Sequence, residues 1–179
     1  VYGWPEDAQF VVPDGVQEHF HKGLGLRGAE KSAEWKKNFE AYSREYPDQA
    51  KEISLLLAHE LPEGWDSEIP VYPADAKGIA SRQSSGEVLN AIAKKLPWLI
   101  GGSADLAPST KTLIKGSDSF QPEAWGGSYG GRNLHYGVRE HAMGAIVNGI
   151  VLSGIRAYGA GFLIFSDYMK PPIRLASLM

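Results

Sequence analysis

At 179 residues, with 43% hydrophobic and 22% charged side chains, the chain can bury a core as one ordinary domain or two small ones; no apolar run approaches the roughly 20 residues that span a bilayer. The absence of cysteine excludes a disulfide framework, thiolate metal ligation and a cysteine nucleophile, and is compatible with a reducing compartment. The net charge of −3 divides into −7 over residues 1–70 (14 acidic, 7 basic) and +4 over the remainder (7 acidic, 11 basic); the positive part suits anionic small substrates, but it lacks the dense, aromatic-interleaved basic cluster of a nucleic-acid binder.

The opening Val1-Tyr2-Gly3-Trp4-Pro5 is not a signal peptide and lacks an initiator methionine, while Arg174 to Met179 stops inside an apolar pattern, so both ends read as cut from something longer. Residues 1–13 read as extended and proline-punctuated. A short helix is expected from Asp14 to Lys22, with Val16 and Phe20 on one face. A firmer one runs from about Ala29 to Tyr46, where Trp35, Phe39, Tyr42 and Tyr46 recur at helical spacing. Pro47 and Asp48 open another, with Ala50, Ile53, Leu57 and Leu61 on its apolar face and Pro62 as its stop. The proline-rich stretch 62–76 reads as a linker, which sets a boundary between residues 1–70 and 71–179.

Beyond the linker, helices alternate with short apolar runs. Ser84 or Ser85 is a candidate cap for a helix carrying Val88, Leu89, Ile92 and Leu96. Trp98-Leu99-Ile100 reads as a buried strand leading into Gly101-Gly102, and residues 107–133 as loop. Glu140 to Leu152 reads as a glycine-containing helix, Arg156 to Gly161 as a strand, and Phe162 to Met169 as the start of a helix interrupted by Pro171-Pro172. Strands alternating with helices argue an α/β fold with a parallel sheet.

The segment Tyr136 to Gly144 sets a carboxylate, Glu140, between a cation and an imidazole where a strand-like run becomes a helix, the place where α/β sheets put ligand sites. Spacing alone leaves two readings open: a working carboxylate, or a side chain that only complements the helix dipole. A metal centre would recruit His135, Glu140 and His141, but their offsets do not share one helical face and no H-E-x-x-H pattern occurs. His19 and His21 read as exposed helix residues. The glycine-rich run Gly126 to Gly131 lacks the G-K-[ST] ending of a phosphate loop and reads as flexible. Phe162, Phe165 and Tyr168 form one helical stripe, which spacing leaves as either core or pocket wall. No nucleophile-elbow or Ser-His-Asp signature appears.

Three blocks, taken in order, resemble the transketolase family: Ile79-Ala80-Ser81-Arg82, Gly101-Gly102-Ser103-Ala104-Asp105-Leu106-Ala107-Pro108-Ser109, and His135 to Ile146; Tyr158 to Phe165 continues the likeness. Gly3-Trp4-Pro5 and the paired helices resemble, more loosely, the family's connector between its first two domains. The resemblance implies a helical connector, residues 1–70, that closes the first domain, followed by residues 71–179 as the incomplete N-terminal part of a parallel-sheet pyrimidine-binding domain. It implies a transferase of the pentose phosphate pathway or Calvin cycle that passes a two-carbon ketol unit from a ketose phosphate to an aldose phosphate. A formaldehyde-accepting relative is the nearest variant, and a non-catalytic dimerisation or binding module is the alternative.

Carried onto this sequence, the family pattern makes Glu140 the catalytic carboxylate that contacts the aminopyrimidine of thiamine diphosphate. A carboxylic acid bonded to that ring's nitrogen favours the tautomer able to take a proton from the thiazolium carbon, which asks for a Glu140 buried enough to hold or share a proton. Phe165 would pack on the ring, with Phe162 and Tyr168 shaping the pocket, and Arg82 and Ser109 would hold the phosphate of the sugar. Asp105 lies in the matching loop without an assigned role. The ligands of the diphosphate and of Mg2+ would lie outside this chain, which contributes no metal ligand, and the site would form between the subunits of a homodimer. No membrane partner is implied, and the setting is cytoplasmic or plastid. Gly161, where the family usually has threonine, and the Pro171-Pro172 doublet depart from the pattern.

Overall fold

The computed structural model describes all residues except 1, 2, 4, 6, 8 and 76, so parts of the expected extended opening, of the Gly3-Trp4-Pro5 stretch and of the linker lie outside the described residues. The chain divides into two compact units, Val1–Ile53 and Ser54–Met179.

In the first unit, helix α1 (Val16–Phe20) runs through one wider, π-type turn, His21–Gly25, into α2 (Leu26–Glu45). The expected pair of separate helices is therefore continuous, because Lys22 and Gly23 carry no signal strong enough to break the hydrogen-bond ladder. The aromatic row of α2 is present: Trp35 stacks nearly parallel on Phe39 at 5.0 Å between ring centroids, and Tyr42 and Tyr46 extend the row at 5.1 Å from each other. None of the α2 side chains is buried. Tyr46 leaves helical geometry, and Pro47 opens α3 (Pro47–Leu57) in the first turn, where its missing N–H costs nothing.

Helix α3 stops at Leu57, short of the expected Pro62. His59 takes a left-handed φ of 57°, and the amides of His59 and Glu60 close back on the carbonyls of Leu56 and Leu55. The following stretch is a series of tight turns strapped to α4 (Ser81–Lys95) by ion pairs from Glu68 to Lys94 and Lys95 and by the hydroxyl of Tyr72, which donates to Glu87. Helix α4 begins earlier than expected. Extended Ala80 is its N-terminal boundary, and Ser84 sits inside the helix, its hydroxyl donating to the Ser81 carbonyl. At the other end the Arg132 guanidinium donates to the carbonyls of Ala93 and Leu96, two of the groups a helix C-terminus leaves unpaired.

Among the described residues three short strands form one parallel sheet in the order β2-β1-β3: β1 (Ile100–Ser103), β2 (Asn133–His135) and β3 (Ala157–Ala160). The central strand starts at Ile100; Trp98 and Leu99, expected within it, instead turn off the end of α4 through a bond from Leu99 N to Leu96 O. Gly101 and Gly102 suit the centre because a β-carbon at either would run into the neighbouring strands at Tyr158 and Leu134.

The 107–133 stretch is more ordered than a plain loop. It holds a single-turn helix α5 (Ala107–Thr110), a 3₁₀ turn Glu123–Trp125 and bridges that pair Ser119 with Asn133 and Phe120 with Ser128. Asn133 organises it from β2: its side chain accepts from Ile114 N and donates to the carbonyls of Ile114 and Ser117. The glycine run, expected to be flexible, is held by these bridges and by the Ser128 hydroxyl, which accepts from Gly130 N.

Helix α6 (Glu140–Leu152) matches its expected bounds and crosses from β2 to β3. Met143, at 1% exposure, packs with Tyr136 and Ala104 and is backed by Leu134, Val147 and Met169. After β3 comes a 3₁₀ segment, Leu163–Met169, and then α7 (Lys170–Ala176). The proline doublet does not interrupt a helix: Pro171 and Pro172 occupy the first turn of α7, and Pro172 packs against Gly144, where a β-carbon would clash.

Candidate functional site

The carboxyl ends of the three parallel strands converge on one cleft of about 470 Å3, lined by Ala104, Asp105, Leu106, Val138, Glu140, Phe165 and Tyr168. Each lining residue follows directly from how its strand ends. After β1, Ser103 turns the chain. Its carbonyl accepts from Asp105 N and its buried hydroxyl from Leu106 N, while Asp105 takes a left-handed φ of 63°. A non-glycine residue in that region is uncommon, and aspartate is among the residues that tolerate it. The turn brings Asp105 into the cleft.

After β2, Gly137 adopts φ 66° and its carbonyl accepts from Arg139 N. The Arg139 guanidinium folds back and donates to the Tyr136 carbonyl, occupying the space over Gly137 that a side chain would take. This turn aims the chain into α6, so Glu140 is the first helical residue and sits half-buried in the cleft. Free helix N–H groups make that position favourable for a carboxylate. After β3, Phe162 is extended and its carbonyl accepts from Phe165 N, which starts the 3₁₀ segment that brings Phe165 and Tyr168 into the lining of the cleft.

Of the residues singled out from sequence, the cleft gathers Glu140, Phe165 and Tyr168. Phe162 borders the segment without lining the cleft. Arg82 and Ser109 lie elsewhere, both exposed, in the first turn of α4 and in α5, and these two helices pack on one another. Ser109 is three residues from the lining residue Leu106. Asp105 joins Glu140 as a second carboxylate of the cleft; no periodic pattern announces it, and the left-handed turn that places it leaves no mark in composition. Gly161 has open space where a β-carbon would stand. His135, considered above for a metal, shares a hydrogen bond of 2.8 Å with the Ser119 hydroxyl. Among the described residues no group of three or more His, Asp or Glu side chains is placed to hold a metal ion, and no helix is long and apolar enough to cross a membrane.

The lining combines two aromatic rings, Phe165 and Tyr168, the apolar surface of Ala104, Leu106 and Val138, and the two carboxyl groups of Asp105 and Glu140, a set able to take a flat heteroaromatic ring and to hydrogen-bond its nitrogens.

Residues 77–179 match the family described as transketolase, pyrimidine binding domain, and residues 1–62 that described as transketolase, thiamine diphosphate binding domain. Similar curated proteins include the transketolase of Geobacillus stearothermophilus, 48% identical over 99% of this chain and 26% of its own length, and that of Bacillus subtilis, 47% identical with the same coverage. Among solved structures, the transketolase of Pichia stipitis in complex with sedoheptulose 7-phosphate superposes with a TM-score of 0.86 at 43% identity over 96% of this chain and 26% of that one. The transketolase of Leishmania mexicana gives 0.81 at 32% identity, again over 96% of this chain. The chain thus spans about a quarter of the length of the relatives it matches.

Proposed function

The chain belongs to the transketolase family, and from that premise we propose that it forms the pyrimidine-side half of a thiamine-diphosphate site in a longer transketolase. That enzyme transfers a two-carbon ketol unit from a ketose phosphate to an aldose phosphate in pentose-phosphate interconversion. The observation that carries this reading is the cleft at the strand ends, which Glu140 lines together with Phe165 and Tyr168.

Thiamine diphosphate, when bound, supplies the electron sink that carbon–carbon bond cleavage requires. The residues of this chain orient it. The Glu140 carboxyl, half-buried at the head of α6, pairs with a nitrogen of the aminopyrimidine. Phe165 covers the ring face, Tyr168 closes the wall against water, and Phe162 fixes where the aromatic segment begins. Arg82 binds the sugar phosphate through its planar fork, and Ser109 adds a hydroxyl donor. Sugar phosphates are the class named with the Pichia stipitis enzyme.

In this reading residues 1–70 are the helical connector that closes the first domain, and 71–179 begin the pyrimidine-binding domain. The diphosphate and Mg2+ are held by residues beyond this chain, the site is completed across a homodimer, and the enzyme works in the cytoplasm.

The test is Glu140→Ala in the full-length enzyme. Turnover should fall by about 10²–10⁴-fold, the range of a lost acid–base group, with an unchanged melting temperature. Near-normal turnover would remove Glu140 from the mechanism. Calorimetric titration of thiamine diphosphate with Mg2+ into the 179-residue chain should give no heat of binding; tight binding would contradict the half-site.

A further inference from the structure

Arg82 and Ser109 sit on different elements, so a phosphate can bridge them only if those elements keep a fixed spacing. Gly86, one turn after Arg82, lies where a β-carbon would strike the backbone of Lys111. Helix α4 therefore approaches the end of α5 as closely as a backbone allows. Lys111 itself turns the chain with a left-handed φ of 59°.

One more turn along the same face stands Asn90, whose amide reaches the loop with both its oxygen and its nitrogen and also bonds back to its own helix. Its Oδ1 accepts from Lys115 N at 2.8 Å, and its Nδ2 donates to the carbonyls of Leu113 at 3.1 Å and Gly86 at 2.9 Å. The segment 113–115 that follows α5 is thus tied to α4 two turns below Arg82. No shorter side chain spans that gap, and no charged one supplies both a donor and an acceptor at these atoms.

We propose that Asn90 is a positioning residue for the sugar-phosphate subsite: by locking the 111–115 loop to α4 it fixes Ser109 relative to Arg82. The inference rests on the phosphate roles proposed for those two residues. It concerns binding of the phosphorylated end of the substrate and leaves the chemistry at the cleft untouched.

The experiment compares Asn90→Ala, Asn90→Asp and Arg82→Ala in the full-length enzyme, each assayed with ribose 5-phosphate and with unphosphorylated glycolaldehyde as acceptor. Asn90→Ala should raise KM for ribose 5-phosphate about five- to tenfold, the scale of one or two lost hydrogen bonds, with kcat and the glycolaldehyde parameters within about twofold of wild type. Asn90→Asp keeps the bond from Lys115 N and should recover part of the loss, which a purely structural role would not deliver for one acceptor alone. Equal losses on both acceptors, or an unchanged KM in Asn90→Ala while Arg82→Ala raises it, would overturn the positioning role. An Arg82→Ala enzyme that loses nothing on ribose 5-phosphate would instead overturn the phosphate assignment itself.

Discussion

Helices α2 and α6 are written in the same 3.6-residue rhythm, yet they are stabilised in different ways. In α2 the aromatic row is spent on itself: Trp35, Phe39, Tyr42 and Tyr46 stack ring to ring along the helix, and no residue of α2 is buried. In α6 the row is spent on the sheet, with Met143 at 1% exposure against Tyr136 and Ala104. Periodicity establishes that a helix forms and which residues share a face. It does not say whether that face meets a partner, and burial energy follows only when it does.

The sharpest way to break this contrast is a pair of truncations followed by denaturant titration. Met143→Ala should cost about 2–5 kcal/mol, because a fully packed side chain leaves a cavity that the sheet cannot collapse to fill. Trp35→Ala removes a larger side chain from a site that is 52% exposed and should cost about 0.5–1.5 kcal/mol, the value of an aromatic pair. Comparable penalties would mean that α2 is packed in solution and that the two helices do not differ as described.

A second variant sharpens the contrast within the second unit. Asn133→Ala leaves the amide of Ile114 and the carbonyls of Ile114 and Ser117 without their side-chain partner in a buried setting, at a cost of about 1–3 kcal/mol. Loss of protection of Ile114 N in hydrogen exchange, ahead of any change in α6, is the expected signature; uniform loss across both would place Asn133 in the global core instead.

What was legible in the sequence follows the same division. The bounds of α6 are correct because an acidic residue stands at its start and a glycine beyond its end, and both signals are local. The parallel sheet is legible from the alternation of strands and helices, the cleft residues Glu140 and Phe165 from the blocks they sit in, and Tyr168 from the aromatic stripe it shares with Phe165. The rest depends on backbone geometry that composition does not record. His59 and Asp105 take left-handed conformations usually left to glycine, and these end α3 early and bring a second carboxylate into the cleft. Pro171-Pro172 reads as a break until Met169 is seen to close a 3₁₀ segment, after which the doublet is a helix start. Trp98 reads as strand by its apolarity, but the turn off α4 takes it out of the sheet.

The smallest expected effect separates two tyrosines of one core. Tyr158, half-buried on β3, donates its hydroxyl to the Thr112 carbonyl at 2.7 Å, whereas the Tyr136 hydroxyl is buried with no partner among the described residues. At neutral pH, Tyr158→Phe should therefore cost about 1 kcal/mol, and Tyr136→Phe should be neutral or slightly stabilising, since it removes a desolvated group that gains nothing. Burial pushes both phenols up from 10.0 to about 12, with the neighbouring Tyr136 adding to the rise at Tyr158 and Arg132 opposing it. Below pH 10 both states of the chain keep these protons and neither phenol adds a pH dependence. From there to about pH 12 the unfolded chain releases protons that the folded one retains, so stability falls as pH rises. Each Phe variant should flatten that decline in a series of melting curves, and the double variant should flatten it further. If Tyr136→Phe instead matched the neutral-pH cost of Tyr158→Phe, the Tyr136 hydroxyl would have a partner, and the packing between β2 and α6 would be more polar than described.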